Sequence, residues 1–327
     1  MAEWLPYFFV GVMGLALLLY VVLDGYDLGV GLLLPFAPEA EQDRMVASIG
    51  PFWDANETWL VLGVGVLLIV FPQAHGIILT SLYLPATLML IGLVLRGIAF
   101  DFRIKAGDRH KHTWNRLFSF GSLLAALCQG WMLGSYITGL NGSALNYAFA
   151  ALAALSLPAL YVLLGALWLM CKTGGALADR AHQWAKLAWL PMGFALLLIS
   201  IATPLVSERI AEKWFALPQA LWLLPIPLLT LYCYVWTGWA LRGRRVASPV
   251  RVFFTVAAIC LLAALGLAYS IWPDIIIGRM QILEAVAAPN SLFFTFVGVV
   301  LTVPMILGYT FFVYRIFRGV EVSQAYE

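Results

Sequence analysis

Charged residues are scarce in this chain. Lysine, arginine, aspartate and glutamate make up 11% of the 327 residues, whereas an ordinary soluble domain carries about 25%. Hydrophobic residues make up 63%, so the composition excludes a soluble globular protein and predicts a polytopic membrane protein. The net charge of +2 is spread over short loops without a basic stripe. Nucleic acid is therefore not expected as a partner.

Cysteine and histidine are also rare. The four cysteines lie inside or at the ends of apolar runs without C-x-x-C spacing, which is typical of small core residues and not of disulfides or metal ligands. The four histidines all fall in predicted loops: His75, His110, His112 and His182. Histidine is a common axial ligand of haem iron, and a loop histidine would not reach an iron inside the membrane. We therefore expect this chain alone to bind no haem and no metal.

Nine apolar runs are long enough to cross a bilayer, which takes about 17–25 helical residues. They cover residues 7–34, 53–71, 77–100, 117–140, 147–171, 187–207, 219–241, 252–271 and 291–316. These runs predict an all-α protein whose 327 residues form a single integral membrane domain. Residues 35–52 read as a polar connection. The segment FPQAHG at residues 71–76 predicts a tight hairpin, and the connections 208–218 and 274–289 predict short interfacial helices.

Basic residues are distributed unevenly between the two sides of this arrangement. If nine spans alternate, fifteen of the nineteen lysines and arginines lie on one side, three lie on the other and one lies inside the third span. The three are Arg209, Lys213 and Arg279, and the one is Arg96. By the positive-inside rule, the basic side is cytoplasmic. The C-terminus is therefore predicted in the cytoplasm and the N-terminus in the periplasm.

Ionisable side chains in or beside the spans are concentrated in the first three spans, toward the predicted cytoplasmic side. An aspartate that reaches the bilayer centre costs about 2.5–3.5 kcal/mol, so these residues call for an explanation. Each pair of acidic residues is spaced i,i+3 and shares a helix face. The set consists of Asp24 and Asp27 in the first span, Asp54, Asn56 and Glu57 in the second, and Arg96 and Asp101 in the third.

Structural interpretations of the second and third spans stay open. Asp54 or Asn56 would cap the N-terminus of the second span, and Glu57 would complete a capping box. Arg96 would be an interfacial arginine whose head group reaches water, or the cation that balances one of the acidic pairs.

The first span is harder to explain by structure alone. Asp24 and Asp27 approach a helix C-terminus, where the helix dipole disfavours negative charge. An arginine partner or protonation would relieve this conflict. The nearby glycines Gly25, Gly29 and Gly31 favour close helix contact over phosphate binding.

Three segments match a known family in order and position: LDGYDLGVG at residues 23–31, GPFWDANETWLV at residues 50–61 and RGIAFDFR at residues 96–103. AAPNSL at residues 287–292 and VPMILGYTFFVYRIFRG at residues 303–319 match the last span of that family. The chain resembles subunit II of the cytochrome bd-type quinol oxidases over nearly its whole length. Its short loops are similar to those of the compact, cyanide-insensitive branch. One departure is Ala55, where a glycine is common.

The resemblance implies a heterodimer in a bacterial inner membrane that oxidises quinol and reduces oxygen to water. The partner, subunit I, would hold haem b together with haem d or a further haem b. This chain would contribute nine helices as two four-helix bundles plus a peripheral helix. Small accessory subunits, the quinol type and a quinone held by this chain stay open.

The resemblance also implies a proton route from the cytoplasm toward the haems through the W-D-x-N-E motif, with Asp54 as its relay. We expect the residues of this route to be Asp54, Asn56, Glu57, Asp24 and Asp27, with Arg96 and Asp101 balancing charge.

Two other function classes compete with this interpretation. A proton-coupled secondary transporter would also place carboxylates in its spans, but it would be expected to have paired broken helices in two halves. A purely structural assembly subunit would use Asp54 as a cap and carry no protons. A haem-bearing partner would argue against the transporter, and proton uptake by carboxylate variants would separate the other two.

Overall fold

The computed structural model describes residues 3–105, 108–243, 246–317 and 319, and these residues are mainly helical. Their helices are α1 (Leu5–Leu33), α2 (Glu39–Ile49), α3 (Trp53–Val70), α4 (Pro72–Lys105), α5 (Asp108–Ile137), α6 (Ala144–Lys172), α7 (Ala176–Val206), α8 (Glu208–Phe215), α9 (Gln219–Leu223), α10 (Pro225–Arg242), α11 (Pro249–Ile271) and α12 (Pro289–Ile316). Within these ranges, nine helices are long and apolar enough to cross a membrane: α1, α3 to α7 and α10 to α12. The prediction of nine spans in an all-α fold is confirmed.

The spanning helices pack around α1, α5 and α6. In the first half of the chain, α1 contacts α3 and α5, and α4 contacts both α3 and α5. In the second half, α6 contacts α7 and α11, and α10 contacts both α7 and α11. α12 lies beside α1 and α3. Because α1 and α5 also pack against α6, the grouping into two four-helix bundles plus a peripheral helix stays a prediction.

The connection between α1 and α3 contains α2, which the polar composition of residues 35–52 did not indicate. Its buried face includes Met45, Val46 and Ile49. Trp168 Nε1 of α6 donates a hydrogen bond to the Ser48 carbonyl oxygen at 3.2 Å. The helix is therefore held against the ends of the spans, and this end of the molecule is called the α2 side below.

The turn between α3 and α4 differs from the predicted hairpin. Only Phe71 separates the two helices, Pro72 opens α4, and Gly76 lies inside it. Proline suits the first position of a helix because its missing N–H would have no partner there. The helix instead leaves helical geometry at Leu82, with φ −112° and ψ 15°. Pro85 lies three residues later, where a proline removes a backbone hydrogen bond and crowds the preceding turn.

The two connections predicted as interfacial helices have different outcomes. Residues 208–215 form α8, as predicted. The second connection instead forms a two-stranded antiparallel sheet of β1 (Asp274–Ile276) and β2 (Met280–Gln281), so a helix there was the wrong prediction. Asp274 stabilises this turn, because its Oδ2 accepts a hydrogen bond from the Gly278 backbone N–H at 2.9 Å. Gly278 has a φ of +68°, which favours glycine. This end is called the hairpin side.

Candidate functional site

Arg96 lies at the centre of a buried cluster of charges. Its Nη2 atom is 2.7 Å from Asp24 Oδ1 and 2.5 Å from Glu57 Oε1. The side chains of Arg96 and Asp24 are 1% and 0% exposed, whereas that of Glu57 is 27% exposed. One guanidinium of α4 therefore joins a fully buried carboxylate of α1 to a partly exposed carboxylate of α3. The interpretation of Arg96 as an interfacial arginine that reaches water is wrong.

A glycine crossing places Arg96 in the interior. α4 and α5 cross at Gly92 and Gly121, where a Cβ atom on Gly92 would lie 2.8 Å from the Gly121 carbonyl oxygen. Arg96 follows Gly92 by four residues and therefore lies on the same face of α4 one turn later. Because the backbones approach so closely, the arginine is covered by its neighbours and is held next to α1.

α1 meets α6 at a second close crossing. A Cβ atom on Gly29 would lie 1.8 Å from the Tyr161 carbonyl oxygen, and one on Gly165 would lie 2.5 Å from the Gly29 carbonyl carbon. Added Cβ atoms on Gly25 and Gly31 would also meet side chains of neighbouring helices at less than 3 Å. The glycines of this segment thus serve close helix contact. They fix α1, with its two aspartates, in the centre of the molecule.

Asn56 forms a second polar group beside the arginine cluster. Its Nδ2 atom donates to Asp27 Oδ2 at 2.8 Å and lies 2.9 Å from the Tyr26 hydroxyl. Its Oδ1 atom accepts a hydrogen bond from the Tyr314 hydroxyl of α12 at 3.3 Å. Asn56 and Asp27 are both 0% exposed. The amide thus connects α3 to α1 and to α12.

Asp54 and Asp101 lie outside this buried cluster. Asp54 is exposed in the first turn of α3, one turn before Glu57. The N-cap of α3 is Phe52, and no side chain caps this helix end. Asp54 and Asn56 therefore do not cap α3, and the capping box with Glu57 is also absent from this described helix end. Asp101 is exposed near the end of α4.

Sequence reasoning missed four tyrosines and one amide that extend the buried polar groups. Tyr26 and Tyr314 hydroxyls are 2.6 Å apart. Deeper in the spans, Gln129 Nε2 donates to the Tyr20 hydroxyl at 2.7 Å, and Gln129 Oε1 accepts from the Tyr161 hydroxyl at 2.5 Å. Tyr20 precedes Asp24 by one helical turn. A glutamine inside an apolar run was the available signal, because a buried amide needs hydrogen-bond partners.

A separate polar cavity of about 190 Å³ lies on the α2 side. It is lined by Glu39, Ala40, Gln42, Asp43, Arg103, Lys111 and Asn115. Arg103 donates to Asp43 and, from Nε, to Asn115 Oδ1 at 2.5 Å. Asn115 Nδ2 in turn donates to Gln42 Oε1 at 2.6 Å. These bonds tie α2 to α4 and α5, and they were not predicted because α2 was not.

The histidines lie on helices, which corrects their predicted place in loops. His75 lies in the first turn of α4, His110 and His112 lie near the start of α5, and His182 lies in α7. Each of these helices extends beyond the apolar run that predicted it. His182 is buried, but its Nε2 atom is 2.9 Å from the Leu241 carbonyl oxygen. His110 and His112 are exposed.

All four histidines lie within the first two turns of their helices. One ring nitrogen of His182, Nε2, contacts a backbone carbonyl oxygen. Among the described residues, no group of three or more histidine, cysteine, aspartate or glutamate side chains could hold a metal ion. The absence of haem from this chain stays a prediction.

Comparison with known proteins identifies the family. The family model for cytochrome bd terminal oxidase subunit II matches residues 5–317. The chain belongs to this family. Among its relatives, cytochrome bd ubiquinol oxidase subunit 2 of Bacillus subtilis (strain 168) is 23% identical over 319 residues, which is 91% of each chain. Cytochrome bd-I ubiquinol oxidase subunit 2 of Escherichia coli (strain K12) is 26% identical over 351 residues, covering 92% of this chain and 91% of the relative.

The fold of this subunit II also matches a solved structure. The structure of bd oxidase from Geobacillus thermodenitrificans aligns with a TM-score of 0.70, covering 96% of this chain and 99% of the other at 9% identity. This match concerns the fold alone. Family membership makes the chain a multi-pass subunit of an oxidoreductase complex that has a subunit I as its partner. The predicted family is confirmed.

Proposed function

We propose that this subunit II supports a haem-bearing subunit I in a quinol:oxygen oxidoreductase of a bacterial inner membrane. We further propose that it supplies a proton route from the cytoplasm. Its relatives are ubiquinol oxidase subunits by name, and reduction of oxygen to water consumes protons. In this proposal the haems belong to subunit I, the 327 residues form one membrane domain, and the α2 side faces the cytoplasm.

The proposed route rests on a series of carboxylates whose exposed fraction decreases with depth. Asp54 is exposed, Glu57 is partly exposed one turn deeper, and Asp24 is fully buried behind Arg96. Arg96 Nη2 contacts both Glu57 and Asp24. Its charge offsets part of the cost of holding carboxylates in the membrane. A proton taken up by Asp54 would thus have acceptors at increasing depth.

The remaining predicted residues lie beside the series of carboxylates or near the membrane surface. Asp27 and Asn56 lie beside Asp24 and Glu57 on the same two helices. Asp101 lies at the exposed end of α4, five residues after Arg96. In our proposal it balances charge near the membrane surface and takes no part in the buried contacts.

The alternatives find less support in the geometry. A structural cap does not explain Asp54, because Phe52 occupies the N-cap of α3. For a transporter, the relevant feature would be paired broken helices lined by ionisable groups. α4 is interrupted at Leu82, and α9 and α10 are separated at Leu224. The proposed site residues on α4 lie more than ten positions from its interruption, and α9 and α10 hold none of them.

Asp54→Asn tests the proposed route in the assembled complex. Asparagine keeps the size of the side chain but cannot carry a titratable proton. We expect wild-type haem content, with oxygen reduction and proton uptake slowed on the order of 100-fold, the lower range for a positioned proton-transfer group. Haem spectra, oxygen consumption and proton uptake in vesicles measure the three quantities.

A matched control removes an exposed carboxylate elsewhere on the same side. Asp179 is exposed in the first turn of α7, so Asp179→Asn should leave all three quantities unchanged. Wild-type rates in a fully assembled Asp54→Asn complex would contradict an obligatory relay at Asp54.

A further inference from the structure

The buried cluster holds more negative than positive groups. Asp24, Asp27 and Glu57 are three carboxyl groups, and Arg96 is the guanidinium that contacts two of them. If every carboxyl were ionised, the cluster would carry a net charge of minus two in a region largely closed to water. Burial of an uncompensated charge is strongly unfavourable. The carboxyl that lacks a cation is therefore the natural place for a proton.

Asp27 is that carboxyl. Among the described residues, no lysine, arginine or histidine lies within ion-pair distance of it, and its side chain is 0% exposed. Its Oδ2 atom receives a hydrogen bond from a neutral amide, Asn56 Nδ2, at 2.8 Å. Its Oδ1 atom has no hydrogen-bond partner in the described protein. A single neutral donor stabilises a buried carboxylate weakly, whereas it suits the carbonyl oxygen of a protonated acid.

The surroundings of Asp27 are also organised by hydroxyl groups. Tyr26 and Tyr314 hydroxyls lie 2.6 Å apart, and Tyr314 donates to Asn56 Oδ1 at 3.3 Å. This contact helps to fix which end of the Asn56 amide faces Asp27, since the oxygen points toward Tyr314 and the nitrogen toward the carboxyl. The Leu23 carbonyl oxygen, which accepts from Asn56 Nδ2 at 3.3 Å, supports the same orientation. Tyr314 thus helps to set the donor that Asp27 receives.

Tyr314 reaches this position because the end of α12 is attached to the core. Lys172 Nζ donates to the Phe317 carbonyl oxygen at 2.5 Å and lies 4.9 Å from the centre of the Phe52 ring. Phe52 also packs against the Tyr314 ring, with centroids 4.6 Å apart. Tyr314 is therefore held in place by a contact to the backbone at the end of α12 and by a contact to its ring.

We propose that Asp27 is a proton-storage site and that Tyr314, acting through Asn56, is its positioning residue. Its part in turnover rests on the proposed proton route: the proton leaves Asp27 as an acid and is accepted by a neighbouring carboxylate, and uptake restores the acid. The storage itself follows from the local charge balance. No bond other than O–H forms or breaks.

Infrared difference spectroscopy of the assembled complex tests this site. Reduction of the complex should change a carboxylic-acid C=O band, and this band should move to lower frequency in D₂O. We expect Asp27→Asn to abolish this band and Asp24→Asn to retain it, because Asp24 is the ionised partner of Arg96. Tyr314→Phe should shift the band by removing the hydroxyl that orients Asn56. Tyr309→Phe, a matched change at a tyrosine that is 58% exposed on the same helix, should leave it in place.

A band that survives Asp27→Asn, or a wild-type complex without such a band, overturns the proposal. If Asp27→Asn does not assemble, the variant with both Tyr26→Phe and Tyr314→Phe replaces it, and an unshifted band overturns the proposal. These outcomes are separate from the test of the route. If Asp54→Asn turns over at the wild-type rate while the band still depends on Asp27, the route fails and the storage site stands.

Discussion

Arg96 holds two carboxylates with a single nitrogen atom, Nη2. Its Nε and Nη1 atoms are buried without a hydrogen-bond partner in the described protein. Arg96 thus places one positive charge in the interior between α1, α3 and α4. Removal of one partner from a buried ion pair leaves an uncompensated charge, which costs about 3–5 kcal/mol.

Arg96→Gln should therefore destabilise the complex by about 3–5 kcal/mol. The thermal unfolding midpoint of the purified complex measures this loss. Combining Arg96→Gln with Asp24→Asn should restore part of the stability, because the double variant no longer buries an unpaired carboxylate. Equal midpoints for wild type and Arg96→Gln would contradict the assigned pairing.

At the residue scale, the sequence indicated the charged members of the site and missed the neutral ones. Asp24, Glu57 and Arg96 stood out because charge is costly inside a membrane. Tyr26 and Tyr314 did not, since tyrosine is common in membrane proteins and the two lie 288 positions apart. Their contact follows from helix packing, which local sequence patterns do not encode.

At the element scale, the crossing of α1 and α6 is the closest contact that supports the site. A Cβ atom on Gly29 would lie 1.8 Å from the Tyr161 carbonyl oxygen, so even alanine requires the two backbones to separate. Overpacked positions typically cost about 1–3 kcal/mol, and occasionally more. The cost here falls on backbone atoms, which have little freedom to move.

Gly29→Ala should therefore lower the yield of assembled complex and its thermal unfolding midpoint. Size-exclusion chromatography in detergent and thermal unfolding measure both. Gly14→Ala provides a matched control on the same helix, because nothing lies within 4 Å of a Cβ atom there. Wild-type assembly of Gly29→Ala would show that the crossing is less tight than described.

Prediction of the elements succeeded for the spans and for α8, and it failed for α2 and for the hairpin of β1 and β2. A span needs a long apolar run, and hydropathy finds such runs directly. α2 has 11 residues and a polar composition, so its amphipathic pattern is weak evidence beside the neighbouring spans. The hairpin between α11 and α12 depends on Asp274 and Gly278, two residues whose turn role appears only once β1 and β2 pair.

At the scale of the whole molecule, the orientation in the membrane stays a prediction. Alkaline phosphatase, which is active only outside the cytoplasm, tests it when inserted into loops at either end. Insertion after Thr173, between α6 and α7, should give an inactive enzyme because that loop lies on the basic side. Insertion after Asn141, between α5 and α6, should give an active one. The reverse pattern would contradict the predicted orientation.

The arrangement of the spans was less predictable than their number. Lipid and helix surfaces are similarly apolar, so hydrophobicity does not decide which faces of the helices meet. Many large apolar side chains of α7, α10 and α12 are exposed in this chain. Close glycine contacts and buried polar groups decide the packing instead, and both become visible only in three dimensions.

The short length of α3 makes the site sensitive to the thickness of the surrounding lipid. With 18 residues, this helix spans about 27 Å, slightly less than the roughly 30 Å hydrocarbon layer of a typical bilayer. Asp54, in its first turn, would therefore lie near the boundary between head groups and acyl chains. Longer acyl chains would place the Asp54 carboxylate inside the hydrocarbon layer, whereas shorter acyl chains would leave the carboxylate in water. In the proposed route, lipid composition would therefore change how readily Asp54 takes up protons, without any change to the protein.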